Sequence, residues 1–308
     1  MVNVIEARSL VKTFGRVRAL DGLDLQVAEG EVHGFLGPNG SGKSTTIRVL
    51  LGLLRAQSGV VSVFGRDPWR DAVAIHRDLA YVPGDVSLWP NLSGGETIDL
   101  VTALRGGADP QLRAALVREF EFDPRKRARS YSKGNRQKVA LIGAFARRAK
   151  LYILDEPTSG LDPLMESVFR AQVARVTAEG STVLLSSHIL SEVEQLCERV
   201  TIIRAGATVE TGTLSEMRHL TRSSFRVGTS ASPAVLAALT GVHDLRSEGS
   251  HLVFDVDTAN IPAVLRVLVT EGVTSLTVTP PSLEELFLRH YGDRIADASA
   301  EVEAEISR

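Results

Sequence analysis

The most informative residues are Gly37-Pro38-Asn39-Gly40-Ser41-Gly42-Lys43-Ser44-Thr45. Glycines let the backbone curl so that successive N–H groups point at one phosphate chain; Lys43 adds a positive charge, and the Ser44 hydroxyl can ligate Mg²⁺. Residues 31–36 have the pattern of a strand, and residues 46–51 that of a helix whose N-terminus favours anions. This context predicts a loop that binds a nucleoside triphosphate. A glycine-rich turn without a ligand is the competing interpretation, which the flanking strand and helix disfavour.

Length and composition set the broad class. The chain has 308 residues and a mass of 33.2 kDa, which favours two domains over one. A formal charge of −2 and a pI near 6.4 show no overall basic character, so nucleic acid is not expected as the main partner. No signal peptide and no membrane span are predicted, and Cys197, the single cysteine, excludes intrachain disulfides. We therefore expect a cytosolic protein that would serve a membrane only as a peripheral subunit.

Apolar, strand-like runs alternate with glycine turns and helical stretches from Val4 to about Ala207. Residues 151–154 and 182–185 are apolar without alternation, as expected of strands buried on both faces. Between about residues 86 and 149 the pattern is mainly helical. The sequence therefore predicts an α/β fold in which a helical subdomain is inserted into a phosphate-loop core. The strand-like runs are residues 5–10, 32–36, 60–64, 79–82, 151–154, 182–185 and 200–204.

A different pattern begins after about Met217. Its strands and helices follow the order βαββαβ, which suggests a small α+β domain of the ferredoxin-like type. A helix from Leu283 to Tyr291 is predicted to close it, and the acidic residues from Asp293 onward are predicted to form a flexible tail. The predicted domains are residues 1–220, 221–292 and the tail 293–308. The predicted strands are 223–229, 243–247, 252–256 and 275–279, and the helices are 233–239 and 261–271.

A second nucleotide-binding element is predicted where the apolar run 151–154 ends in Asp155 and Glu156. The first carboxylate, at the strand tip, can hold the Mg²⁺ shell, and the second can orient or deprotonate an attacking water. Phosphoryl transfer needs such groups because the protein mostly positions the reactants and neutralises charge. An acidic pair at a solvated strand end is the alternative, which the loop at Gly37 disfavours.

Taken together, these motifs resemble the ATP-binding subunits of ABC transporters over about residues 4–220. Ser159-Gly160-Leu161-Asp162 matches the D-loop of that family, and His188, after Ser186-Ser187, matches its switch histidine. The resemblance implies that His188 contacts the γ-phosphate of ATP and that Phe14 stacks on the adenine ring. A structural role is the alternative for the lone histidine, and core packing for the aromatic ring.

Two stretches compete for the signature motif of the family. Leu92-Ser93-Gly94-Gly95-Glu96 looks similar to it but lies far upstream, where we expect only a helix entry with Ser93 near the cap. The family places its signature shortly before the carboxylate strand, a position held here by Tyr131-Ser132-Lys133-Gly134-Asn135. The resemblance therefore implies that Ser132 and Gly134 grip the γ-phosphate bound to a partner subunit.

The chain departs from the family pattern at two positions. Lys133 replaces the first glycine of the signature, which reduces backbone freedom but adds a positive charge near a phosphate. Gly84 stands where the family has a glutamine that touches Mg²⁺ and senses the membrane partner. A glycine has no side chain that could ligate, so Asp85 or water is the expected substitute.

The resemblance implies an energy-coupling ATPase of an ABC exporter that binds ATP and Mg²⁺. Its implied partners are a separate polytopic membrane permease and a second copy in a homodimer, at the cytoplasmic face of the cell membrane. The single phosphate loop, the small C-terminal domain and the ending Ser282–Leu288 resemble exporters of drugs and antibiotics. The alternative is a soluble, non-transport ABC protein that acts on nucleic acid or the ribosome.

Overall fold

The computed structural model describes residues 2–219 and 222–279. The chain folds into two compact units, which are separated between Gly212 and Thr213. The predicted domain boundary near residue 220 stays a prediction. The predicted closing helix Leu283–Tyr291 and the predicted acidic tail lie outside the described residues.

The first unit contains a three-stranded antiparallel sheet. Two of its strands come before the phosphate loop in sequence and one comes after it. Its order is β2-β1-β4, and both pairings are antiparallel. Leu23, Leu25 and Val27 alternate with exposed residues and are buried in the core. The strands are β1 (Asn3–Phe14), β2 (Val17–Ala28) and β4 (Ser58–Val63).

The second sheet of this unit has six strands in the order β5-β6-β7-β3-β8-β9. The four pairings from β5 to β8 are parallel, so the carboxyl ends of these strands meet at one edge of the sheet. Every residue of β3, β6 and β7 is buried. For β6 and β7 this confirms the prediction of strands covered on both faces. The strands are β3 (Val32–Leu36), β5 (Leu79–Val82), β6 (Leu151–Asp155), β7 (Thr182–Ser187), β8 (Arg199–Arg204) and β9 (Ala207–Thr213).

Strands β2 and β9 are absent from the sequence prediction. Asp21-Gly22 in the middle of β2 is a typical turn signal, and Gly22 does adopt the left-handed backbone region with φ 77°. The strand nevertheless continues, because shifts in its pairing with β1 absorb the irregularity. Pairing along the whole strand therefore outweighs the local turn preference of Asp21-Gly22.

Helices surround this sheet and fill the stretch between β5 and β6, as predicted for residues 86–149. In this stretch the side chains of Ile98, Leu116, Leu141 and Ile142 are buried. None of the helices in the described residues has the length and apolar character needed to span a bilayer. The helices are α1 (Lys43–Leu50), α2 (Ala72–Asp78), α3 (Gly94–Ala103), α4 (Pro110–Glu119), α5 (Lys133–Phe145), α6 (Pro163–Ala178) and α7 (Leu190–Leu196).

The second unit begins with α8 (Leu214–His219) and confirms the predicted βαββαβ order. All neighbouring strands in its sheet, ordered β11-β12-β10-β13, are antiparallel, as in a ferredoxin-like sandwich. The rings of Phe225 and Phe254 stack in its core with centroids 5.5 Å apart. Its further elements are β10 (Arg222–Thr229), α9 (Pro233–Ala237), β11 (Val242–Glu248), β12 (His251–Asp257), α10 (Ile261–Glu271) and β13 (Val273–Thr279).

Candidate active site

The glycine-rich loop 37–42 connects the end of β3 to the beginning of α1. A Cβ atom at Gly37 would lie 2.6 Å from the carbonyl oxygen of Ile203, and one at Gly42, with φ 112°, would lie 2.8 Å from that of Ala19. Only glycine fits these two positions, so the tight packing of the loop explains why Gly37 and Gly42 are glycines. The other predicted phosphate-binding residues, Pro38, Asn39, Gly40, Ser41 and Thr45, lie in the same loop or in the first turn of α1.

Lys43 lies at the first position of α1 with only 6% of its side chain exposed. Its Nζ donates a hydrogen bond to the carbonyl oxygen of Gly37 at 2.5 Å and lies 3.7 Å from Oε1 of Glu156. Burial lowers the pKa of Lys43, while the negative charges of Glu156 and Asp155 oppose that shift. The ammonium group is thus largely removed from water beside a phosphate loop, where an anionic ligand would compensate its charge.

Asp155 lies at the tip of β6 and contacts hydroxyl groups from two neighbouring elements. Ser44 Oγ donates to its Oδ2 at 3.2 Å, and Ser186 Oγ donates to its Oδ1 at 2.9 Å. The structure therefore joins the phosphate loop and the carboxylate strand in one pocket, as predicted. The oxygen atoms of Ser44 and Asp155 are the hard donors that Mg²⁺ prefers, so this donor set fits the ion.

Glu156 directly follows β6 and has a left-handed backbone with φ 48°. Non-glycine residues in this region carry strain of about 1–3 kcal/mol, which persists only where the surroundings impose the conformation. The amide of Glu156 donates to the carbonyl oxygen of Ser186 at 2.9 Å. Its Oε2 lies 2.6 Å from Nδ1 of His188. The predicted carboxylate and the predicted histidine thus form a direct contact.

The predicted signature residues lie at the N-terminus of α5. Ser132 caps this helix, because its Oγ accepts a hydrogen bond from the amide of Asn135 at 3.3 Å. A Cβ atom at Gly134 would lie 2.5 Å from the carbonyl oxygen of Gly160. Any larger residue at Gly134 would collide with that backbone, so the signature stretch packs against the predicted D-loop of the same chain.

Two side chains of α5 strengthen this contact. Lys133 Nζ donates to Oγ of Ser159 at 2.6 Å. Gln137, which is buried, donates from Nε2 to the carbonyl oxygen of Pro157 at 2.9 Å. The lysine that replaces the first signature glycine therefore holds the segment that follows Glu156.

Asp162 and Phe14 lie apart from these contacts. Asp162 caps α6, with its carboxylate accepting from the amide of Met165 at 3.0 Å. Phe14 ends β1 with 46% of its side chain exposed, and Nζ of Lys12 lies 5.3 Å from its ring centroid. An exposed ring of this kind can stack on a planar base.

The upstream stretch at Ser93 is a helix entry, as predicted. Ser93 Oγ accepts from the amide of Glu96 at 3.2 Å, and Oε2 of Glu96 accepts from the amide of Ser93 at 2.7 Å. These reciprocal bonds form a capping box at the start of α3. The side chains of Ser93 and Glu96 both cap the helix. This capping role explains why a serine and a glutamate occur at these positions, without any contact with a nucleotide.

Gly84 lies beside the carboxylates of Asp155 and Glu156 although it has no side chain. A Cβ atom there would lie 3.2 Å from the carbonyl oxygen of Asp155 and 3.4 Å from Cβ of Glu156. The loop after β5 therefore passes within contact distance of both carboxylate residues. The assignment of Asp85 as a substitute stays a prediction.

Sequence reasoning missed two side chains: Ser186, which contacts Asp155, and Glu192, which contacts residues close in sequence to Glu156 and His188. Ser186 donates to Asp155, and Glu192 accepts from the hydroxyl groups of Thr158 and Ser187. A hydroxyl residue at the end of a strand that neighbours the carboxylate strand was a signal for Ser186. No local signal marks Glu192, because Thr158 is distant from it in sequence and Ser187 belongs to β7, a different element.

A groove of about 380 Å³ lies beside the loop that follows β5, and we call it the Trp89 groove. Trp89 itself is 54% exposed. Burial, followed by the negative charge of Asp155, raises the pKa of Tyr81 to about 12, so its hydroxyl stays neutral at physiological pH. The lining includes Leu53, His76, Tyr81, Trp89, Leu104 and Val139.

The parallel sheet, with its phosphate loop and carboxylate pair at the carboxyl ends of the strands, is that of a P-loop nucleoside triphosphatase. The family model of the ABC transporter matches residues 20–159. A second model, the C-terminal domain of DrrA1-3-like ATP-binding proteins, matches residues 212–291.

Individual proteins agree with these family models. The daunorubicin resistance ATP-binding protein DrrA3 of Streptomyces coeruleorubidus is 32% identical over 306 residues, covering 94% of this chain and 96% of the relative. A solved ATP-binding subunit of an ABC transporter is 31% identical, with a TM-score of 0.65 over 70% of this chain and 92% of that chain. The dimeric cassette MJ0796, at 24% identity, has the same fold, with a TM-score of 0.61 over 68% of this chain and 98% of that chain.

The chain belongs to the ABC transporter family, as an ATP-binding subunit that hydrolyses ATP. This membership explains why the loop, the carboxylates and His188 converge at one edge of the sheet.

Proposed function

We propose that this chain is the energy-coupling ATPase subunit of an exporter of drugs, antibiotics or other hydrophobic compounds. The observation that carries the ATPase assignment is the buried Lys43, which lies between the phosphate loop and Glu156. The export assignment rests on the relative DrrA3, which is named for daunorubicin resistance and matches along nearly the whole chain.

Each side chain of the site has its own role in ATP hydrolysis. Lys43 and the loop amides bind the β- and γ-phosphates, and Glu156 orients and deprotonates the attacking water. His188 holds the carboxylate of Glu156 and contacts the γ-phosphate. Ser44 and Asp155 would hold Mg²⁺, which when bound supplies neutralising charge to the phosphates.

A second copy of the chain would complete the site. Ser132 and Gly134 stand at the N-terminus of α5, where the free amides and the helix dipole favour an anion. The Ser132 oxygen accepts a hydrogen bond from the amide of Asn135, which leaves its own proton free to donate to a phosphate oxygen. We therefore assign Ser132 and Gly134 to the nucleotide of the opposing copy. Phe14 is assigned to the adenine ring of its own nucleotide, and Asp162, in the stretch that matches the D-loop, to nucleotide binding.

The membrane partner would be a separate polytopic permease, which places this chain at the cytoplasmic face of the cell membrane. The Trp89 groove supports this proposal, because an exposed tryptophan above an apolar lining suits a short helix of another protein. The neighbouring loop at Gly84 lies beside Asp155 and Glu156, so a movement of the groove would reach the carboxylates.

The decisive experiment identifies the partner and then tests coupling. The full-length chain, isolated from native membranes, should co-purify with a polytopic membrane protein, and a transported compound should stimulate the ATPase activity of the pair. Trp89→Ala should weaken this association, whereas Trp69→Ala, which changes another half-exposed tryptophan, should not. Salt-sensitive binding to nucleic acid, with no membrane partner recovered, would favour the alternative of a soluble ABC protein instead.

A further inference from the structure

Glu192, in the first turn of α7, connects the two segments that carry Glu156 and His188. One of its carboxylate oxygens accepts a hydrogen bond from Oγ1 of Thr158. The other accepts from Oγ of Ser187 at 2.9 Å. Thr158 follows Glu156 by two residues, and Ser187 directly precedes His188. One carboxylate therefore joins the chain where it leaves β6 to the chain where it leaves β7.

Both hydroxyl partners of Glu192 are shielded from water. Thr158 is 7% exposed and Ser187 is completely buried. Hydrogen bonds to an ionised carboxylate are stronger than neutral ones, and a buried hydroxyl that loses its acceptor is costly. Ser187 also accepts from the amide of Ile189 at 2.9 Å, so its hydroxyl group organises the turn that carries His188. The bridge is thus a part-buried contact between a half-buried carboxylate and two buried hydroxyl groups.

The pair formed by Glu156 and His188 needs such support. The backbone of Glu156 is left-handed, with φ 48°, and its carbonyl oxygen accepts from the amide of Ser159 at 3.1 Å. His188 is half exposed, with 52% of its side chain accessible, so burial alone does not fix its ring. The distance of 2.6 Å between the two side chains depends on how the segments after β6 and β7 are held.

We propose that Glu192 is a positioning residue for ATP hydrolysis. It acts through Thr158 and Ser187, and it sets the distance and angle between the Glu156 carboxylate and the His188 imidazole. This inference rests on the proposed roles of Glu156 and His188, and it deepens them. Glu192 itself contacts neither the phosphate loop nor Lys43 in the described residues, so its effect is on the rate of hydrolysis and not on nucleotide affinity.

The test compares Glu192→Ala, Glu192→Gln and the matched control Glu198→Gln in the full-length chain. Glu192→Ala should lower kcat by about tenfold to a hundredfold, since a small misplacement of reacting groups has effects of that size. KM and the affinity for ATP should stay within about twofold, the pattern of an interaction that acts only in the chemical step. Glu192→Gln retains an acceptor oxygen for rotatable hydroxyl groups and should recover most of the activity. Glu198 is exposed, so its variant should match the wild type.

A double mutant separates positioning from general damage. In a His188→Ala background, Glu192→Ala should cause little further loss, because both changes disable the same pair. Full additivity, or wild-type kcat in a folded Glu192→Ala protein, would overturn the proposal. If Glu192→Ala does not fold, Thr158→Val removes one of the two hydrogen bonds and carries the test, and wild-type kcat in that variant has the same meaning.

Glu156→Gln distinguishes this inference from the proposed function beneath it. Normal turnover in Glu156→Gln would remove the catalytic role on which both depend. An inactive Glu156→Gln together with a fully active Glu192→Ala would overturn only the role of Glu192.

Discussion

Among single residues, Glu156 carries the most specific chemical prediction. Glu156→Gln keeps the size of the side chain but removes the base, so ATP should still bind while hydrolysis falls by about a hundredfold or more. Trapped nucleotide should then hold two copies together, which size-exclusion chromatography with and without ATP will detect. Glu29→Gln makes the same chemical change at an exposed position and should behave as the wild type. Unchanged turnover in Glu156→Gln contradicts the assigned role.

The prediction for Lys43 is of a different kind, because it concerns the affinity for ATP and not the rate of hydrolysis. Lys43→Ala removes a buried ammonium group from the phosphate loop, and charge-assisted hydrogen bonds of about 1.5–3 kcal/mol correspond to a loss of tenfold or more in ATP affinity. Fluorescent nucleotide titration measures it directly. Lys150→Ala serves as the control, because Lys150 is exposed and pairs with Asp78 on the surface. Normal ATP affinity in Lys43→Ala would show that the loop has another function.

At the level of helices, two serine caps that look alike in sequence should behave differently. Ser93→Ala breaks the capping box of α3 and should lower stability by about 1 kcal/mol, seen as a lower Tm, with ATP hydrolysis nearly unchanged. Ser132→Ala, at the start of α5, should instead lower hydrolysis, because its hydroxyl group is assigned to a phosphate. Calorimetry and a turnover assay on both variants separate the two effects. Loss of hydrolysis in a folded Ser93→Ala protein would reverse the signature assignment.

The helices also show why the Ser132 stretch is the better signature candidate. Its helix contacts the segment after Glu156 through Lys133, Gln137 and the close approach of Gly134 to Gly160. The Ser93 stretch uses its serine and glutamate to cap its own helix. A signature that contacts the segment after Glu156 is suited to respond to hydrolysis, whereas a helix cap whose side chains bond only within its own helix is not.

For the molecule as a whole, the division into two units predicts an independent nucleotide-binding domain. A chain that ends near Ser223 should remain soluble, unfold in one cooperative transition and bind ATP, because within the described part of the chain the core cluster of the first unit is formed by residues 4–203. Circular dichroism and nucleotide titration test this expectation, with the full-length chain as the reference. Aggregation of the shortened chain would mean that the C-terminal residues complete the core or the dimer.

Much of the architecture was predictable because its signals are local. The apolar runs of β3, β6 and β7, the glycines of the phosphate loop and the βαββαβ order all follow from patterns within a few residues. Strand β2 was missed because its Asp21-Gly22 step resembles a turn, and only pairing along β1 shows that the strand continues. For the candidate site, proximity of the phosphate loop to Asp155 was predicted and is found, while the catalytic roles remain predictions.

The amino-acid sequence alone determined the phosphate loop, the acidic pair at the end of β6 and the family to which the chain belongs, because each motif consists of contiguous residues. Only the tertiary structure decided that Ser186 would reach Asp155 and that Glu192 would join Thr158 to Ser187. Those contacts depend on β7 lying between β6 and β3, which brings strand ends from distant parts of the chain to one edge of the sheet. Strand order arises from the packing of the whole core, and short sequence patterns carry no record of it.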